Sequence, residues 1–171
     1  MGHQPGALTL SEDDRRVLAV WAADCAERTL SPFETQAPSD TRLRDAIDGL
    51  RAFARGETRI GPVRALATRA HAAAREIGDP AAIAAARAAG QAAGAAHMAA
   101  HARGAAADAA KAAGLAAPHD PTAVADEVRW QLSHASQTVR DVLRRLPPPP
   151  RRAGILGALI NDMHAKLAGA G

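Results

Sequence analysis

The sequence is poor in aromatic residues. Its 171 residues include two Trp, two Phe and no Tyr, so that aromatic side chains make up only 2% of the chain. A core that cannot be filled by rings must be packed by aliphatic side chains and by close contact between alanines. The length is typical of one domain that buries a core of its own.

Other absences exclude whole classes of protein. The single cysteine, Cys25, excludes an intramolecular disulfide and fits a reducing compartment, so we expect a cytoplasmic protein. No stretch of about 18 residues is both apolar and uncharged, so we expect no membrane partner. The pI is about 9.9, yet the net charge is only +3 and the basic residues are not clustered. Nucleic-acid binding is therefore disfavoured.

Catalytic motifs are also missing. The sequence contains neither the phosphate-binding loop GxxxxGK[ST] nor the GxSxG turn that carries a nucleophilic serine. The sequence therefore nominates no reaction. Whether the protein is an enzyme stays open, and a non-catalytic protein is the favoured interpretation.

Alanine is what the sequence has in abundance, above all between Asp79 and Ala113. This stretch reads DPAAIAAARAAGQAAGAAHMAAHARGAAADAAKAA. Alanine is the best helix former, Asp79 suits an N-cap and Pro80 suits the first turn. The stretch therefore predicts one long central helix.

Apolar residues elsewhere recur at helical spacing, and no segment alternates with a period of two. We therefore predict an all-α bundle of five to six helices around the long Ala-rich central helix. Pro32 is expected to end the first helix and to open a loop, and a single helix is expected between Asp120 and Leu146.

The same pattern divides the chain into segments. We expect a flexible tail at 1–9, a single helical bundle domain at 10–146, a polyproline linker at 147–150 and, at 151–171, a C-terminal amphipathic helix packing on the bundle. The four prolines could instead bind an SH3-like groove, although a linker is the simpler interpretation.

One stripe of the Ala-rich stretch differs from the rest. Steps of three and four residues select Ile83, Arg87, Gly90, Gly94, His97, His101, Gly104, Asp108 and Lys111. Each glycine costs about 1 kcal/mol relative to alanine inside a helix. Three glycines on one face therefore indicate that a side chain or another backbone approaches this stripe closely.

His97 and His101 are the sharpest candidates for chemistry. Residues four apart on a helix have side chains about 5–6 Å apart, which would allow them to share zinc or another divalent metal, with His71 as a further candidate. No glutamate of an HExxH motif lies between them. The simpler interpretation is that both imidazoles form hydrogen bonds between packed helices, with no cofactor.

A wider set of polar residues accompanies the two histidines. Asp24 on the first helix and Arg87 on the central helix are candidates for an ion pair. We define the polar seam as the candidate binding residues Glu34, Asp40, Arg44, His71, Arg87, His97, His101 and Asp108. The histidines of this seam are expected to lie near acids such as Glu34 or Asp40.

Three stretches resemble a known bacterial family. They are WAADCAERTLSPFE (21–34), DTRLRDAIDGLRAFARGE (40–57) and the histidine-containing segment at 70–113. They resemble the Imm-five-like domain of immunity proteins found in polymorphic toxin systems, over about residues 9–115. The resemblance implies an all-helical cytoplasmic protein that binds and neutralises a cognate bacterial toxin.

Two functions therefore remain in competition. The first is a non-catalytic immunity protein whose partner is a toxin. The alternative is a metal-dependent helical-bundle enzyme or metal sensor that uses His97 and His101. The sequence also leaves a homodimer open.

Overall fold

The computed structural model describes residues 10–169, and in this range all regular structure is helical. The nine helices of the range are α1 (Glu12–Glu27), α2 (Ser31–Gln36), α3 (Arg42–Ala54), α4 (Ile60–Glu76), α5 (Pro80–Gly94), α6 (His101–Ala116), α7 (Ala123–His134), α8 (Gln137–Arg144) and α9 (Gly154–Gly169). The prediction of an all-α bundle is confirmed. The predicted tail at residues 1–9 lies outside the described residues.

Side-chain caps build the starts of α1 and α5. The hydroxyl of Ser11 accepts a hydrogen bond from the Asp14 N–H at 3.1 Å, and α1 begins at the next residue. The carboxylate of Asp79 accepts one from the Ala82 N–H at 2.8 Å at the start of α5. Each cap satisfies a backbone donor that has no partner inside its helix.

The prediction of one long central helix is wrong, because one helix ends at Gly94 and a second helix begins at His101. Short-range bonds turn the backbone, such as Met98 N–H to Gly94 O at 3.0 Å. The Arg15 side chain of α1 donates to Ala96 O at 2.9 Å and so satisfies a carbonyl that the break exposes. A single helix of this length would span about 50 Å and leave most of its alanines in water. Folding back as a hairpin buries them.

Two smaller helix boundaries also differ from the predictions. The expected loop after the first helix contains α2, because Pro32 sits at its start, where its missing N–H costs nothing. The expected single helix before the prolines is divided into α7 and α8. Ser136 caps α8 by accepting a hydrogen bond from the Val139 N–H at 3.2 Å. The number of helices is therefore larger than the predicted five to six.

The buried apolar residues of the described range form one continuous core. Its largest side chains include Trp21 on α1, Phe33 on α2 and Phe53 on α3. The α5–α6 hairpin contributes alanines from both helices that are almost completely buried. Helices α1 and α3 pack on α5, and α1 also packs on α6. The hairpin thus stands at the centre of the bundle.

The C-terminal helix completes one side of the bundle. Helix α9 packs against α6 and α8 and buries Met163 and Leu167. The prolines 147–150 form an irregular segment between α8 and α9. Among residues 10–169, every helix is too short or too polar to pass through a bilayer.

Candidate functional site

Two histidines, His71 and His101, lie against glycines of the hairpin. A Cβ at Gly90 would lie 2.6 Å from the ring of His71 on α4, and a Cβ at Gly94 would lie 3.0 Å from the ring of His101. Both distances are shorter than ordinary van der Waals contact. The two glycines therefore make room for imidazole rings in a hairpin otherwise packed mainly by alanine.

The side chain of Gln91 links this group to the second helix of the hairpin. His101 Nδ1 lies 2.5 Å from Gln91 Oε1, and a Cβ at Gly104 would lie 2.9 Å from the same oxygen. The rings of His97 and His101 have centroids 5.3 Å apart and are tilted by 55°. Thus Gln91 and His101 connect α5 to α6 by a hydrogen bond at the end of the hairpin.

The environment of these rings favours their neutral form. Burial is the largest cause that lowers the pKa of His71, His97 and His101, and nearby positive charge lowers each further. Arg75 and Arg87 act on His71, and Arg64 and Arg15 act on His97. A histidine with an ordinary pKa is already mostly neutral at pH 7. The neutral His101 ring is consistent with an Nδ1–H that donates to Gln91.

The described residues do not supply a metal site. A closed zinc site needs four protein ligands and a catalytic one needs three. Within residues 10–169, no three His, Cys, Asp or Glu side chains come together as ligands. His101 Nδ1 is also occupied by Gln91. The geometry therefore gives no support to zinc or another divalent metal at His97 and His101.

The acids of the polar seam lie elsewhere. Glu34 pairs with Arg44 at 2.5 Å, on the surface formed by α2 and α3. Asp40 pairs with Arg42 at 2.6 Å, and the same guanidinium reaches Glu76. These pairs satisfy the carboxylates locally. The expectation that Glu34 or Asp40 lies beside the histidines is therefore wrong.

Arg87 does not pair with Asp24 as expected. Asp24 instead bonds to Arg51 of α3 at 2.9 Å, and Arg51 also binds Glu27. Arg87 is exposed on α5, and its charge acts on His71 and on Asp108. The predicted ion pair between α1 and α5 is therefore wrong.

Asp108 is the most unusual member of the seam. It is only 4% exposed, and its Oδ1 has no hydrogen-bond partner. Burial raises the pKa of its carboxyl to about 6, although Arg87 and Lys111 lower it. An ionised carboxylate at this position destabilises the folded state.

Cys25 is also buried. Burial raises the pKa of its thiol, which disfavours a nucleophilic role.

A pocket of about 140 Å³ opens beside the Gln91–His101 bond. One wall is the turn and first residues of α6, and the opposite wall is formed by the prolines and α9. The lining residues are Gln91, Met98, Ala100, His101, Arg103, Gly104, Pro149, Pro150, Arg152, Gly157 and Ile160.

The comparison with known families decides the relationship. Residues 8–138, more than half of the chain, match the family described as Imm-5 like putative immunity protein. The chain belongs to the Imm-5 like family. Neither the curated proteins nor the solved structures contain a significant match. The part matching the Imm-5 like family contains helices α1 to α7 and therefore the whole histidine group, whereas the proline and α9 wall of the pocket lies beyond it.

Several pocket residues of this Imm-5 like protein were not predicted from sequence. Gln91 and Arg103 are long polar side chains in a stretch of small residues, which is the one signal that could have identified them. Arg152 and Ile160 come from a distant segment. Their position depends on how α9 packs, which helical spacing alone does not reveal.

The two neighbouring histidines should respond differently to truncation. We expect His101→Ala to lower the free energy of unfolding by about 1–2 kcal/mol, because it leaves Gln91 Oε1 without its donor. His97→Ala should cost less, because the buried Nδ1 of His97 has no partner to lose. Urea unfolding of both variants at pH 7.5 measures the difference, and a larger loss for His97→Ala would contradict it.

Proposed function

We propose that this protein is a non-catalytic immunity protein that binds and neutralises a cognate bacterial toxin. The observation that carries the proposal is the match of residues 8–138 to the Imm-5 like family of immunity proteins. The single unpaired cysteine, Cys25, supports the proposal of a cytoplasmic site of action.

The arrangement of the site favours binding over catalysis. The histidine group is held by glycine contacts and by a hydrogen bond to Gln91, and burial disfavours its charged form. General acid–base catalysis at neutral pH is best served by a pKa near 7. The pKa values of these histidines are lowered, which moves them away from 7. The group is therefore better suited to holding the shape of the hairpin end.

The turn between α5 and α6 is the proposed contact with the toxin. Met98 lies in this turn and is 53% exposed, and the two helices that the turn joins, α5 and α6, pack against each other along their length. Exposed loops held by a rigid scaffold commonly carry binding residues, and methionine adapts its shape to a partner surface. The rigid hairpin reduces the conformational entropy that the turn loses on binding.

Co-expression tests both levels of this proposal. The protein should restore growth of cells that produce the toxin encoded beside it. Met98→Glu should weaken binding at least tenfold, because it places a charge in an apolar contact. Val20→Glu is the matched control, because Val20 is 51% exposed on α1.

The outcomes separate the function from the contact. Absence of rescue by the unaltered protein would remove the basis of the immunity function. If the Met98→Glu and Val20→Glu variants restore growth equally well, the toxin binds another surface and the immunity function stands. Circular dichroism of both variants verifies that the helices are retained.

A further inference from the structure

The pocket beside the hairpin turn has a charge imbalance that the proposed function does not use. Two arginines, Arg103 and Arg152, line it together with His101 and Gln91. No carboxylate is among its lining residues in the described part of the chain. The cavity is therefore electropositive and complementary to an anion.

Arg103 is a buried cation in the lining of this pocket. It is only 3% exposed, and its guanidinium contacts a carbonyl and an imidazole rather than a carboxylate: Nη2 donates to Pro147 O at 2.9 Å, and Nη1 lies 3.2 Å from His164 Nδ1. Its Nε is buried without a partner. Burial lowers the pKa of Arg103, and no acid in the described residues opposes this effect. A buried cation without a counter-ion is costly, and a bound anion would offset that cost.

The backbone adds to the same potential. Helix α6 begins at His101, so its positive end lies at the pocket. Ala100 occupies the N-cap position, and no side chain caps this end among the described residues. The first turn of α6 therefore reinforces the two arginines as an attraction for negative charge.

The remaining lining residues of the pocket are apolar and suit an apolar part of a ligand. Met98, Ala100, Pro149, Pro150, Gly157 and Ile160 give the pocket an apolar side. A volume of about 140 Å³ is close to that of a protein cavity that holds benzene. The close approach of the Arg152 backbone to α9 depends on Gly157, because a Cβ there would lie 2.0 Å from Arg152 O.

We propose that this pocket binds a monocarboxylate whose charged end faces Arg103, Arg152 and the start of α6, and whose short apolar end lies against Met98 and Ile160. A single negative charge fits better than a phosphate ester, because most of the exposed lining area is apolar. The carboxylate can come from a free small molecule or from a side chain or chain end of a bound protein. Both sources present the same chemistry to the pocket.

Titration of the isolated protein with sodium benzoate tests the site. Amide chemical shifts of residues 100–104 and of the Gln91 side chain should change saturably, at a constant ionic strength set with chloride. Benzamide, which has the same shape without the charge, should bind at least tenfold more weakly. Arg152→Gln should weaken benzoate binding about tenfold, and Arg151→Gln should not, because this exposed neighbour does not line the pocket.

Each result decides the proposal. Absence of saturable shifts, equal binding of benzamide, or equal affinity of the Arg152→Gln and Arg151→Gln variants would overturn it. Where benzoate binds as expected, toxin protection by Arg152→Gln identifies the source. Lost protection assigns the carboxylate to the toxin, and intact protection assigns it to a small molecule. Only this last arm rests on the proposed function, because the titration is done without toxin.

Discussion

Trp21→Ala should lower the free energy of unfolding by about 3–5 kcal/mol, which is a large part of the total stability of a domain. Trp21 is 2% exposed on α1, and its indole N–H donates to the backbone oxygen of Gln131 on α7 at 2.8 Å. The amide of Gln131 in turn donates to Ala106 O on α6 at 2.9 Å. The substitution therefore leaves a cavity and removes a link between α1 and α7.

Trp130→Ala is the matched control, because it removes the same side chain from the surface of α7. The Trp130 ring stacks on His134 with centroids 3.8 Å apart, and the Arg28 guanidinium lies 3.8 Å from a ring centroid. These contacts are partly exposed, so a loss of about 1–2 kcal/mol is expected. Urea unfolding followed at 222 nm measures both variants, and equal losses would show that burial of Trp21 is not decisive.

Asp108→Asn should stabilise the protein at pH 7.5 by up to about 3 kcal/mol. The carboxyl has a pKa near 6 in the folded state and about 3.8 when unfolded, because burial opposes its ionisation. The folded state therefore holds this proton more tightly. Stability from this group is complete below about pH 3.8 and is lost as the pH rises through about 6. One pKa unit corresponds to about 1.4 kcal/mol.

The pH dependence distinguishes ionisation from a simple packing effect. The stability difference between Asp108→Asn and the unaltered protein should be small near pH 4 and full at pH 7.5. Asp126→Asn is a control of opposite sign, because hydrogen bonds from Thr122 and then Arg129 lower the pKa of that exposed carboxyl. A difference for Asp108→Asn that does not vary with pH would mean that its charge is not the cause.

Local sequence signals predicted the helices well where capping and apolar spacing agree. Asp79 caps α5 as expected, and the apolar face of α3 is buried as its spacing indicates. The break between α5 and α6 was missed because alanine favours helix at every position, whereas the turn is stabilised by contacts between distant segments. The bond from Arg15 to Ala96 O is one of these contacts.

The candidate site was predicted only in part. The glycine stripe correctly indicated close contacts, and the imidazole rings of His71 and His101 occupy the space beside Gly90 and Gly94. The acids were misplaced because Glu34 and Asp40 find arginines within their own neighbourhood, Arg44 and Arg42. The residues opposite His101 in the pocket come from beyond Pro147, and sequence spacing contains no information on that tertiary contact.

The alanine packing of the hairpin divides the molecule by its tolerance of substitution. Where α5 and α6 meet, alanines such as Ala89, Ala93 and Ala105 are completely buried, and extra methylene groups there would force the helices apart. In the turn, Met98 and Ala100 are exposed and carry no such restriction. The toxin contact proposed above can therefore vary at these two positions, while the alanine interface beneath them accepts only the smallest side chains.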